Sequence, residues 1–221
     1  MKISDKLKHI LFFLTIIMLI TALTFSCSRT KPEIAFGFIK LVIYQGDPDP
    51  VERFTFFIIP DDDEGIENLD ELYIYHDREQ LRWKIKSDEW TKVSHEGKDW
   101  IGTRTLSVRD GVLPRGVFRA VLVNKGGESS ERSFTFDGNV RYDFPEFTIT
   151  DGLYSVKSDW PENRLLCYDR SGNYIMTAEI VNKIGSTSEL KLSQSVRTVA
   201  LWSEDEENFC SALTNAVLIS R

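Results

Sequence analysis

The residues of this chain whose types could do chemistry are few: cysteines at 27, 167 and 210, two histidines beyond the first ten residues, His76 and His95, two knots of carboxylates and a group of tryptophans. Neither a C-x-x-C pair nor a nearby histidine accompanies any cysteine, which argues against a tetrahedral zinc site. His76 precedes Asp77 at an expected strand end, and His95 is expected in a polar loop, SHEGKD. Neither stands near a G-x-S-x-G or another nucleophile signature, so no catalytic residue is assigned. The carboxylates gather at Asp61, Asp62, Asp63 and Glu64, and at Glu204, Asp205, Glu206 and Glu207. Calcium takes several oxygens from a flexible loop, but the spacing of an EF-hand is absent. Both knots read as solvated loops, and no metal is expected. No pair of carboxylates is marked for glycoside chemistry. A Walker loop, a dinucleotide fingerprint and an H-E-x-x-H motif are all missing, so no cofactor is expected.

Trp83, Trp90 and Trp100 fall within one short region and form a candidate ligand face, because aromatic platforms bind sugars. Against this, Trp83 belongs to LRWKIK, where Leu81, Trp83 and Ile85 alternate with Arg82, Lys84 and Lys86. A period of two buries one face of a strand and wets the other. The basic face would also blunt an exposed sheet edge.

The amino terminus carries an address. Lys2, Lys6 and Lys8 precede a charge-free run from residue 10 to 25, the pattern of a secretory signal. The run is slightly shorter than the roughly 20 residues of a spanning helix. It ends TALTFSC, with small Ser26 before Cys27. This stretch resembles the lipobox of bacterial lipoproteins, in the relaxed form of spirochaete members. Thr24 and Phe25 stand where the usual pattern has Leu and then Ala or Ser, and Leu23 lies one step further out. The resemblance implies cleavage before Cys27 and lipidation of its thiol. Two or three acyl chains anchor a protein stably where one does not. The expected organisation is a signal peptide over 1–26 and a polar tether over 27–33. In an exported chain Cys167 and Cys210 remain as an even pair, either bridged or buried as two small apolar side chains.

The net charge is -7, and about -9 without the first 26 residues, which hold three lysines and one aspartate. An acidic body lacks the basic footprint that nucleic acid needs.

From residue 34 onward, short apolar runs are broken by Gly, Pro, Asp and Asn, which predicts an all-β fold. Strands are expected at 34–44, 52–59, 72–76, 81–86, 100–108, 117–123 and 133–136. Seven strands in about 105 residues suit an immunoglobulin-like sandwich over 34–137. LPRGVFRAVLVNKGGESSERSFTF resembles the last two strands of fibronectin type III modules. Phe118 stands where those modules often carry a loop-tying tyrosine, so the resemblance concerns architecture alone. Gly, Asn, Asp and Pro collect at 137–145 and mark a boundary. A smaller β-rich unit is expected over 146–221, with strands at 147–149, 153–156, 165–169, 174–181, 190–192 and 198–202. Residues 206–219 read as a short helix or two strands, the strands being favoured.

These readings describe a lipoprotein of the cell envelope, on its periplasmic or surface side, tethered to the membrane by an N-terminal lipid. Its expected role is non-catalytic, as a structural module or a binding module for an envelope protein. The alternative is a carbohydrate- or small-ligand-binding lipoprotein using the Trp83, Trp90 and Trp100 region.

Overall fold

The structure is a computed structural model that describes residues 30–109 and 112–219. The expected signal segment, its helix and Cys27 lie outside the described residues. Those described form an all-β molecule of sixteen strands and three one-turn 3-10 segments.

The first half holds β1 (Glu33–Tyr44), β2 (Val51–Asp61), β3 (Leu69–His76), β4 (Leu81–Lys86), β5 (Thr91–His95), β6 (Lys98–Leu106), β7 (Gly116–Asn124) and β8 (Ser129–Phe136). Strands in the order β1-β2-β6-β5 face a second sheet ordered β4-β3-β7-β8. This is the strand order of an immunoglobulin-type sandwich, with β4 added beside β3. The alternating LRWKIK stretch is β4, an edge strand whose Arg82, Lys84 and Lys86 are exposed.

Aromatic side chains fill this sandwich. Phe54 lies edge-to-face with Phe118 at 5.3 Å and with Phe136 at 4.8 Å, and Phe56 with Phe134 at 5.3 Å. Burying each such ring contributes about 1.5–3 kcal/mol, and the perpendicular geometry adds about 0.5–1.5 kcal/mol per pair. Phe118, which has no hydroxyl to spend on a loop, is buried against Phe54 and the His76 ring. Gly37 lets the two sheets approach, since a Cβ there would lie 2.8 Å from the Phe134 ring.

The second half holds β9 (Glu146–Thr150), β10 (Leu153–Lys157), β11 (Glu162–Tyr168), β12 (Tyr174–Glu179), β13 (Ile184–Ser186), β14 (Thr198–Asp205), β15 (Cys210–Leu213) and β16 (Val217–Leu218). A three-stranded sheet, β13-β10-β9, covers β11 and β14 through a second core that includes Phe147, Tyr154, Leu165 and Leu201.

The halves share one sheet. β15 pairs antiparallel with β14 and parallel with β1, so a single sheet runs β12-β11-β14-β15-β1-β2-β6-β5. Cys210 and Ala212 of β15 face the first core, although they come from the end of the chain. Both cores lie on the same side of this long sheet, because side chains alternate along paired strands and Cys210 pairs with Asp205 while Leu165 pairs with Leu201. Residues 137–145 carry no strand. Their Val140, Tyr142 and Phe144 pack on the first core.

Two expectations are corrected, and an alternative left open is decided. The polar stretch around His95 is a strand, β5, turned into β6 by Glu96 and Gly97 at φ of 52° and 72°. Two positive φ values in sequence make the hairpin turn that matches strand twist. The strand expected at 190–192 is instead the end of a 3-10 turn over Thr187–Leu190, and the pairing partner of β10 is β13 just before it. Cys167 and Cys210 are free and buried, each in a different core. Through β14 they align with Val199 and Asp205. Six residues along a strand is roughly 20 Å, far beyond the reach of a disulfide.

Candidate functional site

The side of the long sheet opposite the two cores has no sheet packed on it among the described residues. Alternation from the core residues Ile39, Leu41 and Ile43 turns Phe38, Lys40, Val42 and Tyr44 of β1 toward this open face. Phe36 joins them after a register shift between Ile34 and Phe36. From β2 come Arg53, Thr55 and Phe57, and from β6 Trp100 and Arg104. The second half adds Trp202 and Glu204 of β14 and Arg164, Leu166 and Tyr168 of β11. Rings and cations thus stud a face where a two-layer fold ordinarily presents small polar residues.

Cations stand over several of these rings. Lys40 lies 5.6 Å from the Trp202 ring, Arg53 5.1 Å from Tyr44 and Arg104 5.8 Å from Phe57. Across the joint between the halves, Glu204 accepts from Lys40, from Arg164 and, at 3.0 Å, from Trp202 Nε1. Burial pulls the Lys40 ammonium below its ordinary range, with Glu206 opposing. Carboxylates of Glu162, Glu204 and Glu206 lie close enough to share an ion, but Lys40 and Arg164 already meet the charge of Glu204.

At the β5 end the rings form a cluster. Trp100 is edge-on to Phe36 at 5.9 Å and to Phe38 at 5.6 Å, and Phe38 stacks on Phe57 at 6.0 Å. A shallow hollow of about 240 Å³ is lined by Phe38, Phe57, Val93, His95, Trp100 and Arg104. It adjoins a cleft of about 750 Å³ that shares His95 and Trp100.

The three tryptophans singled out in the sequence are not brought together. Trp90 is buried in the first core. Trp83 packs against that core and donates to Ser107 O at 2.9 Å. Trp100 alone reaches the open face. His76 is buried, with one ring nitrogen 3.1 Å from Arg115 O and the other accepting from Glu79 N. The acidic knots also disperse. Asp62 accepts from Glu64 N and Asn68 within its own loop. Asp205, on the core side of β14, is bonded by Asn208.

Sequence reasoning missed Phe36 and Phe38 on the open face, and the Phe57 ring buried beneath Phe38 and Arg104. The available signal was the alternation Phe36, Phe38, Lys40 within an otherwise apolar strand.

No family model matches this chain, and no curated relative does. Among solved structures it is similar to Tp47, the 47-kilodalton lipoprotein of Treponema pallidum, at 10% identity and a TM-score of 0.41 over 85% of this chain and 51% of that one. It thus spans about half the length of that protein. Dimeric latent PorU from Porphyromonas gingivalis gives 13% identity and a TM-score of 0.31 over 86% and 20%. Murine CEACAM1b gives 8% and 0.26 over 84% and 99%. Likenesses of this grade assign neither family nor activity.

Proposed function

We propose that this chain is a cell-envelope lipoprotein, held to a membrane by acyl chains on Cys27, that binds a partner protein through the open face of its long sheet without catalysis. The observation that carries the recognition half is that face: it crosses both halves and leaves Phe36 51% exposed beside Trp100. Interfaces are enriched in aromatic residues and arginine, the types gathered here. The anchoring half is supported by the basic start, the apolar run and Ser26 before Cys27.

Two measurements test the halves separately. Mass spectrometry of the native amino terminus is expected to find Cys27 first in the chain and carrying fatty acyl groups; an intact leader would refute the anchor. A photo-cross-linking residue placed at Thr55 of the full-length chain is expected to capture one discrete protein in envelope membranes, whereas one at Glu131 of β8 is not. Equal capture from both positions, or none from Thr55, would refute recognition by the open face.

A second reading, a lipoprotein for a carbohydrate or small ligand, is favoured by the cleft beside Trp100. It now rests on Trp100 alone, because Trp83 and Trp90 are used in packing.

A further inference from the structure

The cleft of about 750 Å³ at the β5 end is lined by both aromatic rings and carboxylates. Phe36 and Trp100 supply the rings, in edge-to-face contact with each other. Asp61 at the end of β2, Asp62 just after it, and Glu96 and Asp99 on the β5–β6 hairpin supply the carboxylates, with Lys98 and His95 as basic lining residues and His95 Nε2 3.8 Å from a Glu96 carboxylate oxygen. Asp62 and Asp99 spend part of their capacity inside the protein, on Glu64 N and on the Ser94 hydroxyl. Asp61 has no ion-pair partner among the described residues.

Elsewhere on the same face the chain supplies its own cations, over Trp202, Tyr44 and Phe57. No described cation stands over Phe36, Phe38 or Trp100. At this end of the sheet, rings and four carboxylates line one cleft, with Lys98 and His95 as its basic lining residues and no cation over the rings.

We propose that this cleft receives an arginine or lysine side chain from a partner polypeptide. Its alkyl stem lies along Phe36 and Trp100, and its cationic head among Asp61, Glu96 and Asp99. The assignment deepens the protein-recognition reading and rests on it. A ring face attracts a cation, most strongly when the ring is tryptophan, and a carboxylate accepts short, charge-assisted hydrogen bonds from it. The surplus negative charge steers a basic segment toward the cleft. A neutral sugar could stack on Trp100 but would gain nothing from the charge of the facing carboxylates.

The test titrates the full-length chain, in detergent micelles, with a peptide alternating glycine and arginine. The same peptide with citrulline for arginine and a glucose oligomer serve as neutral comparisons. The arginine peptide is expected to bind saturably, with citrulline abolishing binding. Trp100→Ala, and the pair Asp61→Asn with Glu96→Gln, are each expected to weaken it about 10-fold. A pair removing equal charge far away, Asp159→Asn with Glu179→Gln, is expected to leave it unchanged. Equal loss in both charge pairs, binding of the citrulline peptide, preference for the oligosaccharide, or no saturable binding would each overturn the assignment. If the Thr55 cross-link persists in Trp100→Ala and in the Asp61→Asn, Glu96→Gln pair, the cleft assignment fails while the open-face reading stands.

Discussion

At the scale of single residues, the cysteines make the sharpest predictions. Burial pushes the Cys210 thiol up to about 11 and raises that of Cys167 as well. The folded chain therefore holds these protons where the unfolded chain has released them. Stability contributed in this way is complete below about pH 9, the ordinary thiol range, and is lost as pH rises toward 11. The urea midpoint is expected to fall across that window, and less steeply in Cys210→Ala. In the native state both thiols should resist alkylation at neutral pH, since only the thiolate attacks. After denaturation, two labels per chain are expected if Cys27 is acylated; a third would expose a free Cys27. The sequence identified these two cysteines as a pair with two outcomes. It could not decide between them, because pairing distance depends on β14 lying between their strands. Trp83, Trp90 and Trp100 taught the same lesson, since nearness in the chain put one ring in the core, one half-buried and one on the open face.

At the scale of elements, alternation and turn residues made most strands legible. β4 was found with its exact ends, and β1, β2, β3 and β7 within a few residues. β5 was missed because its residues, TKVSH, carry little hydrophobic signal at an edge. β1 was found but its faces were misjudged. An almost wholly apolar strand reads as buried on both sides, whereas here one side carries the core and the other the aromatic patch. The close approach of β8 over β1 gives a clean test. Gly37→Ala places a methyl against the Phe134 ring and Ile58. It is expected to cost about 1–3 kcal/mol by overpacking, seen as a lower urea midpoint. Truncating the ring in Phe134→Ala is expected to relieve part of that cost in the double variant, a coupling that independent sites would not show.

At the scale of the whole molecule, the strand registers give a direction. Thr30, held by Asn124 Nδ2 at 3.0 Å, stands just before β1 at one end of the long sheet. From Glu33 the sheet climbs to Tyr44, which pairs with Leu213, and Leu213 pairs with Trp202. β14 extends further to Thr198, level with Tyr168 and the turn that follows. This is a rise of roughly 50 Å at about 3.3 Å per residue. With Cys27 acylated, three residues of chain, at most roughly 11 Å, separate Thr30 from the bilayer. The end bearing Thr30, Asn124 and the acidic cleft then faces the membrane, and the turn at Ser171 points away. Spin labels at Lys125 and Ser171 of the full-length chain in vesicles are expected to differ, with only the first relaxed by a headgroup-bound paramagnet. Equal relaxation would refute this orientation. None of this was legible in the sequence, because it depends on a pairing between segments about 170 residues apart.

That pairing has a consequence for how the protein comes to exist. β1 is made about 170 residues before one of its two neighbours, residues 210–213. Throughout synthesis, one flank of the growing body is an unfilled row of amides and carbonyls. Unfilled rows of this kind recruit whatever strand is near, including those of sibling chains. The polypeptide becomes safe from its own kind only when β15 arrives to seal the seam.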